Sequence, residues 1–119
     1  MDDSKKSVQK ESLLQFLEHG VKYVFPQRPG PVVRGIPTAH SAPPLSEMVQ
    51  SGDRVYVWPD IDGEARGESI VPLYPTVPKA ARADKRFYEL VALVDAIRIG
   101  KAREVKLAVA ELRKRVLQQ

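Results

Sequence analysis

A chain of 119 residues fits one domain and is long enough to bury a core without disulfide or metal staples. Hydrophobic residues at 43% and charged ones at 29% match ordinary globular usage and exclude wholesale disorder, while the absence of cysteine excludes disulfides, thiolate nucleophiles and cysteine-based zinc sites. The net charge of +4 is uneven: residues 79–119 carry eleven Lys and Arg against five acids, and residues 1–78 carry eight against ten, so the basic surplus belongs to the C-terminal end.

Residues 1–9 are polar and read as a disordered tail, which leaves residues 10–119 as a single small domain. From Lys10 the apolar residues Leu13, Leu14, Phe16, Leu17 and Val21 recur at helical spacing and predict a short helix that stops at Gly20. Such a helix does not hold itself in water and needs a packing partner. The abrupt start into a hydrophobic helix suggests the latter part of a longer protein or a separately made piece of one. No apolar run approaches the length of a membrane span, and the N-terminus lacks the apolar core of a signal peptide. The expectation is a cytoplasmic protein without a membrane partner.

Nine of the ten prolines fall between Pro26 and Pro75 and break the middle of the chain into short pieces, because proline removes a backbone donor and fixes φ. Two brief extended segments are predicted there, Lys22 to Phe25 and Val32 to Ile36, around a PQRPGP turn. Leu45 to Gln50 reads as one or two helical turns. Arg54 to Trp58 is a better strand, alternating Val55 and Val57 with Tyr56 and Trp58. The Asp62-Gly63 turn signal and a return segment ending at Ile70 and Val71 predict a β-hairpin with it. A short helical turn follows at Lys79 to Ala83.

Residues 84–119 hold the longest periodic pattern. Phe87, Leu90, Val91, Val94 and Ile97 mark one amphipathic helix, and Val105, Ala108, Val109, Leu112 and Val116 mark a second. Asp84 is placed to cap the first, and Gly100 sits where a left-handed residue would turn the chain between them. The predicted fold class is α+β: an N-terminal helix, a Pro-rich middle with a short β-hairpin, and a C-terminal antiparallel helical hairpin.

Little in the chain points to catalysis. His19 ends a predicted helix, where an imidazole complements the dipole. His40 stands beside Thr38 and Ser41, the minimum for a Ser-His pair, but neither a nucleophile elbow nor an orienting acid accompanies it; hydrogen bonding within the loop explains it more simply. Asp60, Asp62, Glu64 and Glu68 resemble half of a calcium loop, yet Gly63 follows the second acid and a bidentate glutamate is missing at the required place. Gly63 and Gly67 match no phosphate-binding spacing. No cofactor or metal is implied.

The basic residues Lys101, Arg103, Lys106, Arg113 and Lys114, with Arg115, spread over the polar side of the last helix and make phosphate contact feasible. A solvated face or a packing hairpin explains the same residues with fewer assumptions. Phe16, Tyr23, Phe25, Trp58, Tyr74 and Tyr88 are the candidates for core or interface, because aromatics anchor interfaces where these exist.

The phrases LLQFLEHGVKYVFP, RGIPTAHSAPPL, WPDIDGEARGESIVPLYPTVPKAA and FYELVALVDAIRIGKAREVKLAVAEL, in that order, resemble the C-terminal portion of a family of uncharacterised bacterial proteins. Longer members of that family carry an N-terminal winged helix-turn-helix of the MarR-like type. The likeness runs from about Leu13 to Leu117 and does not include the DNA-binding half. It implies association with a transcriptional regulator more than DNA contact by this segment. The expected function is therefore a non-enzymatic accessory or effector domain acting in oligomerisation or partner binding. Direct nucleic-acid binding through the last helix is the alternative.

Overall fold

The computed structural model describes residues 3–24, 27–48 and 55–117, and its fold is α+β. The N-terminal helix α1 spans Asp3–His19, beginning well ahead of Lys10, where the sequence expectation placed its start. A single helical turn, α2 (Val21–Val24), follows at once. This corrects the extended reading of Lys22 and its neighbours: the Val24 N–H bonds back to Gly20 O at 3.1 Å, so the chain re-enters helix after Gly20 instead of leaving it. Phe25 lies outside the described residues. Leu14, Leu17 and Val21, spaced three and four apart, pack into the core and seat this segment on the C-terminal helices.

Strand β1 (Val32–Pro37) leads into single 3-10 turns at Ala39–Ser41 and Leu45–Glu47, and is followed by β2 (Tyr56–Pro59) and β3 (Ala65–Ser69). The expected hairpin between the last two does not form. Instead β2 and β3 run parallel, Tyr56 beside Glu68 and Val57 beside Ser69, while β1 lies antiparallel to both. The three strands close on themselves. Gly35 faces Pro59 on one side and Ala65 on the other, so the chain between β2 and β3 straddles β1 at a residue without a side chain. A Cβ on Gly35 would stand 2.1 Å from Trp58 O, and one on Gly63 would stand 2.3 Å from the Gly35 backbone. The Asp62-Gly63 turn is real, but its arms embrace a third strand.

Three helices complete the chain: α3 (Val77–Ala83), α4 (Lys85–Ile99) and α5 (Ala102–Leu117). The Asp84 side chain caps α4 by accepting from the N–H groups of Arg86 and Phe87 at 3.0 and 3.2 Å. Gly100 does not take the expected left-handed conformation. Its φ of −76° and ψ of 162° are extended, and its lack of a side chain matters because a Cβ would stand 2.3 Å from Ala96 O.

Helix α4 is the centre of the molecule, buried on more of its circumference than one stripe accounts for. Leu93, Ala96 and Ile97 join Leu14, Val21, Leu45, Ala108 and Leu112 in one core cluster, shared with α1, α2 and α5. Val91, with Phe87 and Tyr88 beside it, joins Ile36, Trp58, Val77 and Ala81 in a second cluster against the sheet and α3. The helical hairpin is thus half of the packing; the closed sheet is the other half.

Candidate functional site

Asp95 faces the sheet from α4 and is fully buried. Its Oδ2 accepts from Thr38 Oγ1 at 2.7 Å and from Trp58 Nε1 at 2.8 Å, and its Oδ1 accepts from Arg98 Nη1 at 2.8 Å. Arg98 Nη1 also donates to Val71 O at 3.3 Å. Burial pushes the Asp95 carboxyl above the ordinary aspartate range, and the donors Thr38, Arg98 and Trp58 pull it back without cancelling that effect. The group ties α4 to β2 and to the turn after β1. With Asp95, Thr38 and the Trp58 indole all enclosed, it serves the fold and is closed to a ligand.

The PTAHSAPP segment is held just as firmly. The Thr38 N–H bonds to Tyr56 O at 2.9 Å, and Ser41 Oγ accepts from the Tyr56 N–H at 3.0 Å. Ala39 takes a φ of 56° between these anchors, a conformation that costs a residue with a Cβ on the order of 1 kcal/mol. His40 is buried and meets the Tyr56 ring edge-on, with centroids 4.9 Å apart. The hydroxyls beside it, those of Thr38 and Ser41, are committed to Asp95 and to backbone.

An open cleft lies between the end of β1, the β2–β3 turn, α3 and the first turn of α4. It encloses about 600 Å³ and is lined by Ile36, Pro37, Asp62, Glu64, Ala81, Arg82, Lys85 and Tyr88. One of its walls carries an ion pair. Asp60 accepts from the Asp62 N–H at 2.8 Å, and its other oxygen pairs with Arg82 Nη2 at 3.3 Å. The Tyr88 hydroxyl donates to Pro37 O at 2.5 Å; burial and the nearby Glu64 carboxylate push this phenol up to about 12. Among the described residues no three His, Asp or Glu side chains come together to hold a metal ion. Asp60, Asp62, Glu64 and Glu68 instead serve a turn, the cleft wall and strand β3.

The aromatic candidates divide sharply. Trp58 is wholly buried and Tyr88 partly so, the two rings tilted together with centroids 5.7 Å apart. Phe16, Tyr23 and Tyr74 are exposed at 40%, 79% and 70%. On the N-terminal helical segment the exposed residues form a pattern of their own. Leu13, Phe16, Tyr23 and Val24 follow helical spacing beside the core-facing row of Leu14, Leu17 and Val21, of which Leu17 is partly buried, with Gly20 between Phe16 and Tyr23. The Phe16 ring lies over Gly20, where a Cβ would stand 2.9 Å from its edge.

The basic residues of α5 are partly spoken for. Arg113 pairs with Glu11 of α1 at 2.9 Å, Lys114 with Glu111 at 3.4 Å, and Arg115 with Glu111 at 2.7 Å and Glu89 at 3.7 Å. Arg115 is the main reason that the Glu111 carboxyl sits below its usual range. Lys101, Arg103 and Lys106 are exposed. His19, at the end of α1, stands 3.7 Å from the Glu18 carboxylate.

Asp95, Thr38 and Arg98 escape sequence reasoning because a buried polar network is made by tertiary contact. The available signal is an acid between Val94 and Ala96 in an otherwise apolar stretch, since an aspartate on a core-facing helix is rarely buried without partners. Among the described residues no helix is long and apolar enough to cross a membrane. Comparison with protein-family models, curated proteins and solved structures finds no match to this chain.

Proposed function

We propose that this chain is a cytoplasmic, non-enzymatic accessory or effector domain of a bacterial transcriptional regulator, acting by self-association through the outer face of α1 and α2. The observation that carries the reading is the second apolar row on that segment. Leu13, Phe16, Tyr23 and Val24 stay open to solvent while Leu14 and Val21 are buried and Leu17 partly so, and exposed apolar residues on one segment, two of them aromatic, suit a subunit contact. The non-enzymatic part of the reading is supported by the commitments of the buried polar groups: Asp95, Thr38 and Ser41 are hydrogen-bonded inside the fold. The link to a regulator draws on the resemblance of the chain to the C-terminal portion of the winged-helix-bearing family.

Self-association through an isologous face makes mass depend on concentration. Analytical ultracentrifugation should find a dimer that dissociates on dilution, and Phe16→Ser with Tyr23→Ser should leave a folded monomer. A monodisperse monomer at all concentrations would remove this reading.

Nucleic-acid binding is the second reading, favoured by the exposed Lys101, Arg103 and Lys106 at the start of α5. Duplex binding of that kind weakens steeply with salt, with a slope reduced by about one for each phosphate contact removed. Absence of any shift on titration with duplex DNA at low salt would end it.

A further inference from the structure

The cleft beside α3 is organised by charge in a way that self-association does not use. Two carboxylates, Asp62 and Glu64, stand on the β2–β3 side, and one ammonium, Lys85, stands on the α4 side. Arg82 also lines the cleft, but Asp60 counters its charge at 3.3 Å. Asp60 is itself held by the Asp62 N–H. Ile36, Pro37 and Ala81 supply an apolar lining, and the Tyr88 hydroxyl is already committed to Pro37 O. The volume of about 600 Å³ falls in the range of small-molecule sites, which combine an apolar body with a few convergent polar groups.

We propose that this cleft binds a dipolar ligand of the basic amino-acid class. Asp62 and Glu64 take the cationic side chain, Lys85 takes the carboxylate, and the aliphatic stem lies on Ile36, Pro37 and Ala81. A guanidinium or ammonium between two carboxylates gains charge-assisted hydrogen bonds, and its methylene stem packs along a floor in which Ile36 and Ala81 are already buried and Pro37 is half-buried. The same chemistry is offered by a free basic amino acid and by the C-terminal residue of a peptide. The site is distinct from the α1–α2 face, so ligand binding and self-association succeed or fail separately.

The test is amide chemical-shift titration of the full chain with three probes: L-arginine, the tripeptide glycyl-glycyl-arginine, and agmatine, which keeps the guanidinium but lacks the carboxylate. Saturable shifts at Asp62, Glu64 and Lys85 are expected with arginine or the tripeptide, and whichever binds more tightly names the source. Agmatine should bind about ten-fold more weakly, the loss of one charge-assisted contact. Lys85→Met should abolish the preference for arginine over agmatine, while Asp62→Asn with Glu64→Gln should weaken all three probes. These residues are exposed, so the variants should keep the wild-type circular dichroism and unfolding midpoint. No saturable shift from arginine and the tripeptide overturns the proposal. So does agmatine binding as tightly as arginine, or a preference for arginine that survives Lys85→Met.

Discussion

Asp95 collects three donors inside the protein, and removing its carboxylate strands the Thr38 hydroxyl and the Trp58 indole N–H and takes from the Arg98 guanidinium its buried counter-charge. Breaking a buried pair by deleting one partner costs about 3–5 kcal/mol, because the remaining charge keeps its desolvation penalty without compensation. Asp95→Ala is therefore expected to lose that much in urea-induced unfolding, a substantial fraction of the stability of a domain of ordinary size. Thr38→Val removes one donor to the buried carboxylate and should cost less, about 1.5–3 kcal/mol. Tyr88 gives a pH-dependent counterpart. Its phenol is pushed from 10.0 to about 12 by burial and by Glu64, so the folded state favours the protonated form. That contribution is complete below pH 10 and is lost as pH rises toward about 12. Tyr88→Phe should therefore cost about 1 kcal/mol near neutral pH through the lost bond to Pro37 O. The gap between wild type and variant should narrow over the alkaline window, as read by denaturation at stepped pH.

Among the elements, the closed sheet depends on the place where two strands pass on either side of Gly35. With backbone as the obstacle at 2.1 Å from a new Cβ, side-chain rotation cannot relieve the clash. Gly35→Ala is expected to destabilise by about 3 kcal/mol, at the upper end of overpacking costs, and the loss should appear in the thermal midpoint. This element also shows what a one-dimensional pattern carries and what it does not. The helices α4 and α5 were legible because their apolar spacing is local, and so was the Asp84 cap, a side chain bonding to N–H groups two and three residues ahead. Asp62-Gly63 correctly marked a turn. The partner of each strand was not legible, since the insertion of β1 between the arms depends on Gly35 and Gly63 meeting across a gap of 27 intervening residues. Helix α2 is illegible for a related reason: Gly20 reads as a stop, yet Val21 gains burial in the core cluster it shares with α4 by resuming the helix. Of the cleft, the sequence marks Asp62 and Glu64 only as part of an acidic run and Tyr88 only as an aromatic anchor. Their convergence with Arg82 and Lys85 follows from how α3 meets the sheet.

For the molecule as a whole, α4 divides the interior into two apolar clusters, and its partners differ in how completely they are covered. The N-terminal helix is tied to α5 by Leu14 and Leu17 and by the Glu11–Arg113 pair, each member of which is about two-fifths exposed. A pair that open to water is worth on the order of 0.5 kcal/mol, so apolar packing holds α1 in place. The same helix then presents Leu13, Phe16, Tyr23 and Val24 outward, and Tyr23 with 79% of its surface in water gains most from being covered. Sedimentation of the wild-type chain across a hundred-fold range of concentration, beside the Phe16→Ser, Tyr23→Ser variant, tests this claim most directly. The expected result is a wild-type dimer that dissociates on dilution and a variant that stays monomeric with unchanged circular dichroism; a wild-type chain that sediments as a monomer throughout would contradict it.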